Sequence, residues 1–165
     1  MKMIVCCDIK GGFSKDKKIP WLNEAFSKAD LKRFRKLTLN SVVVMGRNTY
    51  NEIASLKEIK GSILPNRECY VLTSNPSREC KGAITISSIE DIKSEKDVFI
   101  IGGYSLYLEN IDKCNTIYLS RINKDYNCDQ LFPEYLLSTF TKYEETSEFL
   151  ELSFETYWKD WNWNL

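Results

Sequence analysis

Two stretches decide the fold: Val42-Val43-Val44-Met45-Gly46-Arg47-Asn48-Thr49-Tyr50, and Val98-Phe99-Ile100-Ile101-Gly102-Gly103-Tyr104-Ser105-Leu106-Tyr107. Each begins as a continuous apolar run, passes through glycine and continues as a segment suited to a helix. A continuous run of this kind, bounded by glycine, is typical of a strand that is covered on both faces. Two such strand–glycine–helix junctions predict an α/β fold with a largely parallel sheet.

The rest of the chain extends this pattern. Further strand-like runs lie at 3–7, 69–73, 83–86 and 116–122, and helical stretches lie at 28–37, 48–55 and 105–109. Residues 143–157 contain two strand-like stretches around a Ser/Glu break, which predicts an antiparallel hairpin at the sheet edge. Pro133 is suited to the start of a short helical turn. We find no internal repeat and no long linker, so we expect a single domain over residues 1–165.

The composition narrows the classes of partner. Lys plus Arg and Asp plus Glu are both 23, so the formal net charge is zero. Nucleic-acid binding usually leaves a basic excess, so this balance argues against nucleic acid as a partner. No stretch approaches the roughly 20 apolar residues of a membrane span, and the first residues are too few for a signal sequence. We therefore expect a cytoplasmic protein without a membrane partner.

The cysteine and histidine counts limit the chemistry. Six cysteines mostly lie within apolar runs and form no C-x-x-C pair, so we expect reduced thiols rather than disulfides. The chain has no histidine. That removes histidine general acid–base catalysis and the usual zinc sites, and we predict no metal. The remaining chemistry depends on carboxylates, hydroxyls or a bound cofactor.

The loop 11–21, called the lid loop below, reads Gly-Gly-Phe-Ser-Lys-Asp-Lys-Lys-Ile-Pro-Trp. Its glycines end the first strand, and a lysine-rich stretch leads to an apolar anchor. Such a loop can close over a site at the strand ends. The sequence alone equally describes a solvated connection.

Asp30 is the second candidate. On a helix it shares an apolar face with Phe34, and a buried carboxylate there suggests a ligand with hydrogen-bond donors. The alternative is structural, because Ser27-x-x-Asp30 fits a capping box at the helix start.

The glycine junctions are suited to phosphate. Helix N-termini present free N–H groups and a partial positive charge, and Gly46 allows close approach of the backbone. The alternative is an ordinary turn that Asn48 or Thr49 caps. Residues 72–78 end a strand in hydroxyl and amide groups followed by Arg78, which suits a second phosphate or a simple turn.

In this order and spacing, these segments resemble the dihydrofolate reductase family over nearly the whole chain. The resemblance rests on Ile19-Pro20-Trp21, Asp30-Leu31-x-x-Phe34, Val44-Met45-Gly46-Arg47-x-Thr49-Tyr50, Ile101-Gly102-Gly103-x-x-x-Tyr107, Leu64-Pro65-x-Arg67 and Asp129-x-x-Phe132-Pro133. It implies an eight-stranded, mostly parallel sheet with a C-terminal antiparallel hairpin and about four helices. It also implies an adenosine-binding subdomain over roughly residues 41–96.

The resemblance implies NADPH-dependent reduction of 7,8-dihydrofolate, with hydride transfer to pterin C6 and protonation at N5. Asp30 and Trp21 would be the catalytic residues. The substrate-binding residues would be Ile4, Val5, Cys6, Asp30, Leu31, Phe34, Ile53, Leu64, Arg67, Ile101, Tyr107 and Ser120. The cofactor-binding residues would be Cys6, Phe13, Ser14, Ile19, Gly46, Arg47, Asn48, Thr49, Leu72, Thr73, Ser74, Arg78, Ile101, Gly102, Gly103, Tyr104, Ser105, Leu106 and Tyr107.

Within that pattern, Asp30 would bind the 2-amino group and N3 of the pterin, and Arg67 would pair with the substrate's glutamate carboxylate. Arg47 and Ser74, with Arg78, favour NADPH over NADH. Antifolates would inhibit the protein, which we expect to be a monomer. Two other functions remain open: a related pterin or pyrimidine reductase of the same fold, and a non-catalytic folate- or NADPH-binding protein.

The sequence also departs from the family pattern. Eight residues separate Trp21 from Asp30, so the entrance to the first helix is longer than in compact relatives. In the lid loop, Phe13-Ser14 and Ile19 stand where the family commonly has other residues. Cys128 stands where glycine is frequent in the family, and Ser105 stands where the residue is often basic. The tail Trp158-Lys159-Asp160-Trp161-Asn162-Trp163 suits either packing along the sheet edge or self-association.

Overall fold

The structure, a computed structural model, describes residues 1–160. In chain order its strands and α-helices are β1 Lys2–Cys7, β2 Gly12–Ser14, α1 Ser27–Thr38, β3 Val42–Gly46, α2 Arg47–Ser55, β4 Glu68–Leu72, β5 Ile84–Ile86, β6 Val98–Ile100, α3 Tyr104–Asn110, β7 Thr116–Ile122, β8 Gln130–Leu131, β9 Thr141–Thr146 and β10 Leu152–Trp158. Short 3-10 helices at Ile89–Asp91, Ile111–Lys113 and Glu134–Thr139 complete the fold.

Eight strands form one sheet in the order β5-β4-β3-β6-β1-β7-β10-β9. The first six pair in parallel, and β10 and β9 add an antiparallel hairpin at one edge. The carboxyl ends of the parallel strands therefore meet along one edge of the sheet. In open α/β sheets this is the edge at which ligands bind.

The central strands are buried because the sheet carries apolar groups on both faces. Val42 and Val44 belong to one buried cluster with residues of β1, β7 and α3, while Val43 and Met45 belong to a second cluster that includes Tyr50 of α2. Successive strand residues point to opposite faces, so a continuous apolar run serves both clusters.

The predicted mostly parallel eight-stranded sheet with its C-terminal hairpin is confirmed. The predicted element bounds differ from the observed ones by a few residues. The small pair β2–β8, in which Gly12 lies opposite Leu131 and Ser14 opposite Gln130, was not predicted from the sequence. Strands of two and three residues carry too little periodicity to stand out from loop sequence.

Asp8 fixes the corner at which β1 enters the lid loop. Its side chain is 1% exposed, and it accepts backbone N–H bonds from Lys10 at 2.9 Å, Gly12 at 2.8 Å and Tyr126 at 3.1 Å. A side chain on Gly12 would clash, because a Cβ there would lie 2.4 Å from Cβ of Cys128. The lid loop therefore leaves the sheet along a defined path.

An ion network joins β7 to the C-terminal hairpin. Arg121 pairs with Glu134 and, at 3.3 Å, with Glu155, whose side chain is 5% exposed. Tyr157 donates its hydroxyl to Glu155 at 2.7 Å, and Lys142 lies 3.2 Å from the same carboxylate. Buried charges are tolerated when they are paired and hydrogen-bonded in this way.

None of the six cysteines is paired, and Cys7, Cys69, Cys80 and Cys114 are buried. Within residues 1–160, no helix combines the length and apolarity that a bilayer crossing demands. Trp161 and Trp163, on which the self-association alternative for the tail partly rests, lie outside the described residues.

We expect the substitution Glu155→Gln to lower the free energy of unfolding by about 1–3 kcal/mol at pH 7, the cost typical of a lost hydrogen bond to a charged group. Burial by itself raises the pKa of Glu155, but bonds from Tyr157 and Arg121 outweigh it and the pKa is lowered. Because the carboxyl pKa is lower in the folded than in the unfolded protein, ionised Glu155 stabilises the fold at pH values above the unfolded-state pKa. This stabilisation is lost as the pH falls through the folded-state pKa.

The difference between Glu155→Gln and the wild type should therefore shrink below about pH 4.5, near the usual glutamate pKa. Urea unfolding at a series of pH values measures it. Glu148→Gln, an exposed carboxylate in the turn of the same hairpin, is the matched control and should change stability by less than about 1 kcal/mol. Equal losses in both variants, or a loss that does not depend on pH, would contradict the role of the network.

Candidate active site

A cleft of about 1310 Å³ runs along the carboxyl ends of the parallel strands. This volume exceeds the roughly 300–1,000 Å³ of a pocket for one small molecule, so the cleft has room for two ligands. It gathers 26 of the 29 sequence-predicted site residues: Ile4, Val5, Cys6, Phe13, Ser14, Ile19, Trp21, Asp30, Leu31, Phe34, Gly46, Arg47, Asn48, Thr49, Ile53, Leu64, Leu72, Thr73, Ser74, Ile101, Gly102, Gly103, Tyr104, Ser105, Leu106 and Tyr107.

The two glycine junctions meet in the middle of this cleft. The Gly46 N–H donates to the Gly102 carbonyl at 2.7 Å. A Cβ added to Gly46 would lie 3.5 Å from the Gly103 nitrogen, and one added to Gly103 would lie 3.8 Å from the Thr49 hydroxyl oxygen. Gly102 has φ +117°, a backbone conformation that favours glycine. The starts of α2 and α3 thus face the cleft together, and the Tyr107 side chain packs against Gly102, where an added Cβ would lie 3.0 Å from its hydroxyl oxygen.

Neither helix start is closed by a side-chain cap. Gly46 and Gly103 occupy the cap positions of α2 and α3, and no side chain hydrogen-bonds there. The alternative in which Asn48 or Thr49 caps the turn is therefore wrong. Uncapped N–H groups at a helix start are available to an anionic ligand.

Asp30 lies on α1 where the cleft meets β1 and β7. Its carboxylate lies beside the Ser120 hydroxyl and the Cys6 thiol. It makes no capping bond, so the capping-box alternative for Ser27 and Asp30 is wrong. Burial raises the pKa of Asp30, and the Ser120 hydroxyl, the Cys6 thiol and the charge of Arg33 oppose that rise.

Cys6 connects Asp30 to Trp21. Burial and the neighbouring Asp30 carboxylate raise the pKa of the Cys6 thiol well above its usual value, so the thiol keeps its proton beside that carboxylate. Trp21 is 2% exposed, and its side chain is next to the Cys6 sulfur. Its backbone carbonyl accepts a bond from the Ser27 hydroxyl, which ties the long entrance of α1 to the site.

The Tyr107 hydroxyl of α3 lies within hydrogen-bond distance of two backbone carbonyls. It lies 3.1 Å from the Ile4 carbonyl oxygen and 2.9 Å from the Ile101 carbonyl oxygen. The Tyr107 side chain is 3% exposed and packs edge-on against Phe13 of the lid loop at 5.3 Å. Burial raises the pKa of Tyr107 well above its usual value, so the hydroxyl stays a donor.

The lid loop is tied to both sides of the cleft. Glu52 of α2 accepts the Ile19 N–H at 2.6 Å, and Asp129 accepts the Asp16 N–H at 2.8 Å. The loop turns back on itself through reciprocal bonds between Lys15 and Lys18 at 2.9 Å. These contacts hold it across the strand ends, where a plain solvated connection would lack them.

Arg47 is positioned at the first junction by the segment after β4. Its guanidinium donates to the Cys80 sulfur at 2.8 Å and to the Arg78 carbonyl at 3.0 Å. Thr73 and Ser74 line the same end of the cleft. This end therefore combines one fixed cation with hydroxyl groups, the donors that suit phosphate.

Three predicted site residues do not line the cleft wall: Arg67, Arg78 and Ser120. Arg67 donates to the Thr38 hydroxyl at 3.1 Å and to the carbonyls of Pro65 at 2.7 Å and Arg35 at 3.2 Å. Ser120 is 1% exposed and lies behind Asp30. Their assigned roles stay predictions.

The cleft also contains residues that sequence reasoning missed: Asp16, Lys17, Leu22, Ser27, Glu52, Leu56, Lys57, Ser87, Glu109, Asp129 and Gln130. Glu52 had a usable signal, because it lies one helical turn after Thr49 and so shares its face. The loop residues had none, since loop side chains carry no periodicity.

The sheet order and the cleft define an α/β protein that binds ligands across parallel strand ends, at glycine junctions of the kind that accommodates a nucleotide's phosphates. Within that class, the chain belongs to the dihydrofolate reductase family. The family model described as dihydrofolate reductase matches residues 1–158.

Individual relatives agree with this assignment. A dihydrofolate reductase of Staphylococcus aureus is 35% identical over 148 residues, which cover 89% of this chain and 84% of the relative. One of Bacillus subtilis is 30% identical over 139 residues, covering 82% and 76%. A solved structure of Enterococcus faecalis dihydrofolate reductase, complexed with NADP(H) and RAB-propyl, superposes with a TM-score of 0.76 at 28% identity and covers 95% of this chain and 94% of its own.

We expect Glu52→Ala to release the lid loop at Ile19. Hydrogen bonds to a charged group contribute about 1.5–3 kcal/mol, so amide hydrogen exchange at Ile19 should speed up at least about tenfold. Exchange measured residue by residue tests this. The control Glu58→Ala removes an exposed carboxylate that pairs only with Lys60 at 3.3 Å, and it should leave Ile19 unchanged. Unaltered Ile19 protection in Glu52→Ala would show that other contacts hold the loop.

Proposed function

We propose that the protein reduces 7,8-dihydrofolate to 5,6,7,8-tetrahydrofolate at the expense of NADPH. The observation that carries this proposal is the cleft itself, in which a partly buried carboxylate, Asp30, and two glycine junctions share one continuous wall. Membership of the dihydrofolate reductase family supports the reaction. In the cell it would supply reduced folate for one-carbon transfer.

The cofactor end of the cleft fits NADPH. A dinucleotide needs close backbone approach and donors for its phosphates, and the glycines and the starts of α2 and α3 supply both. Arg47, Thr49, Thr73 and Ser74 would hold the phosphates, and Arg47 with Ser74 would favour the 2′-phosphate of NADPH over NADH. Residues 41–96, which carry Arg47 and its anchors, would form the adenosine-binding subdomain. Bound NADPH would supply the hydride.

Asp30 would bind and orient the pterin. A carboxylate offers about four lone-pair positions. Those of Asp30 that face the cleft would accept paired hydrogen bonds from the 2-amino group and N3 of the ring. A negative charge held there also favours a proton on the ring, so Asp30 would promote protonation at N5, directly or through water.

Other side chains would place the ring and exclude water. Ile4 and Ile101 would wall the pterin, and their carbonyls, gathered by Tyr107, would face its donors. Trp21 would hold Cys6 in place and close the end of the cleft at which the pterin reacts. There it would also order a water molecule. The lid loop would cover this end once it is held by Glu52 and Asp129.

The substrate's benzoyl-glutamate tail would leave the cleft past the α1–α2 side. Leu31, Phe34, Ile53 and Leu64 offer apolar contacts there. Arg67 would reach the tail carboxylate from outside the cleft wall, which requires it to exchange some of its bonds to backbone carbonyls for the ligand. Antifolates that carry the same donors would compete for Asp30.

We further propose that the protein is a cytoplasmic monomer that binds neither nucleic acid nor membrane.

The first test is the fall in NADPH absorbance when dihydrofolate is added to the purified protein. We expect a steady, methotrexate-sensitive decrease, with NADH giving much slower turnover. No decrease while NADPH still binds would contradict the reaction. It would favour either a different reducible pterin or pyrimidine, or a binding protein without turnover.

Asp30→Asn tests the role of the carboxylate. Positioned acid–base groups typically contribute about 10²–10⁴-fold, so hydride transfer at neutral pH should fall at least a hundredfold, while folding and NADPH affinity change little. Single-turnover kinetics measure hydride transfer separately from binding. Asp112→Asn, which neutralises an exposed carboxylate outside the cleft lining, is the matched control and should keep wild-type rates. Activity that survives Asp30→Asn would leave Asp30 a purely structural residue.

A further inference from the structure

Three side chains lie in one row across the sheet beneath α1. The strand register places Cys6 of β1 beside Ser120 of β7, and Ser120 beside Phe154 of β10. Paired residues of neighbouring strands point to the same face of a sheet. This row forms the floor on which the first turns of α1 pack.

Asp30 and Arg33 stand one helical turn apart on α1, so both face the row. The Asp30 carboxylate lies beside the Ser120 hydroxyl and the Cys6 thiol, both of which lower its pKa. Arg33 donates to the Ser120 hydroxyl oxygen at 3.3 Å and to the Glu155 carbonyl at 3.4 Å. The Ser120 hydroxyl therefore accepts a hydrogen bond from the guanidinium and lies next to the carboxylate.

The Arg33 guanidinium is held firmly for a side chain of its length. Its central carbon lies 4.5 Å from the centre of the Phe154 ring and 5.6 Å from that of Tyr118. Planar guanidinium groups stack well on aromatic rings because they are weakly hydrated. Two rings and two hydrogen bonds leave this cation in one place.

Within residues 1–160, neither Asp30 nor Arg33 has an oppositely charged side-chain atom within 4.0 Å. Each is partly buried, which is costly for a charge that has no counterpart. The two opposite charges lie one helical turn apart, and both are next to the buried Ser120 hydroxyl. This arrangement offsets part of the desolvation cost of both.

We propose that Arg33 is a positioning residue for the reaction: acting through Ser120, it supplies the fixed positive charge that favours the ionised form of Asp30. The inference rests on the role proposed for Asp30. It goes beyond the cleft residues, because Arg33 does not line the cleft and would not touch a ligand.

Few other titratable groups act on Asp30 and Arg33. The titratable groups that act on Asp30 or Arg33 from neighbouring elements are Cys6 on β1, Tyr107 on α3, Tyr118 on β7 and Glu145 on β9. Cys6 and Tyr107 have pKa values raised well above their usual range, so they remain neutral near pH 7. Glu145 lies on the exposed strand β9 and acts on Arg33 rather than on Asp30. Arg33 is therefore the main charge that can bias Asp30.

The test is a carbon-13 NMR titration of the Asp30 carboxyl in the full chain, with aspartate labelled at the carboxyl carbon and the signal assigned by its loss in Asp30→Asn. Removing a fixed positive charge raises the proton affinity of every group around it. Opposite charges in close proximity lower a carboxyl pKa by about 1–3 units, and the intervening hydroxyl places this pair at the low end. We expect Arg33→Met to raise the Asp30 pKa by about one unit, and Arg33→Lys to return part of the shift.

Arg35→Met is the matched control, because it removes an exposed guanidinium from the same helix. It should leave the Asp30 pKa unchanged. Equal shifts in Arg33→Met and Arg35→Met, or no shift in either, would overturn the proposal. A merely structural Arg33 would alter urea unfolding without displacing the titration, and this result would also overturn it.

Ser120→Ala tests the route. In the Ser120→Ala background, the shift in the Asp30 pKa that Arg33→Met causes should fall to less than half. An undiminished shift would show that Arg33 does not act through Ser120. The pH profile of hydride transfer should move upward in Arg33→Met with the titration. The titration requires no turnover, so the two proposals can fail separately. If the wild type does not oxidise NADPH but Arg33→Met still raises the Asp30 pKa, the proposed reaction is wrong and the assignment of Arg33 is supported.

Discussion

The hydrogen bond from the Gly46 N–H to the Gly102 carbonyl, at 2.7 Å, holds together the two halves of the site. It joins the end of β3 to the end of β6, and both strands then lead directly into helices. The two junctions lie so close together that a Cβ on Gly46 would be in van der Waals contact with the Gly103 nitrogen, at 3.5 Å. β3 ends at Gly46, and β6 is followed two residues later by Gly102, so the two glycines meet in the middle of the cleft.

Buried strands impose this geometry on the chain. Val42 to Met45 fill both faces of the sheet, and β3 is hydrogen-bonded on both sides, to β4 and to β6. The positions of the strand ends, and of the groups that follow them, are then fixed as well. A site built at strand ends inherits the rigidity of the core, while the lid loop is held by individual hydrogen bonds that can break.

The same distinction explains how much could be predicted from the sequence. Sheet, helices and glycine junctions follow from apolar periodicity, and the family motifs placed Asp30, Arg47 and the lid loop near one cleft. The pairing of β2 with β8, the carboxylate of Asp8 beneath the lid loop and the contact of Glu52 with Ile19 leave no periodic trace. They join residues far apart in the chain through single side chains, and such contacts become visible only once the backbone is in place.

The location of Arg33 also follows from what Asp30 must do. A direct ion pair would place a guanidinium on the carboxylate oxygens, and bidentate pairing would use the lone pairs that a pterin's two donors need. Without any cation, burial alone would favour the protonated acid, which donates at one oxygen and no longer attracts a proton to the ring. A cation one hydroxyl away meets both requirements, since it favours the ionised form and leaves the outer lone pairs free. The spacing of Asp30 and Arg33 by one helical turn over Ser120 is thus the arrangement that a carboxylate with a polar ligand requires.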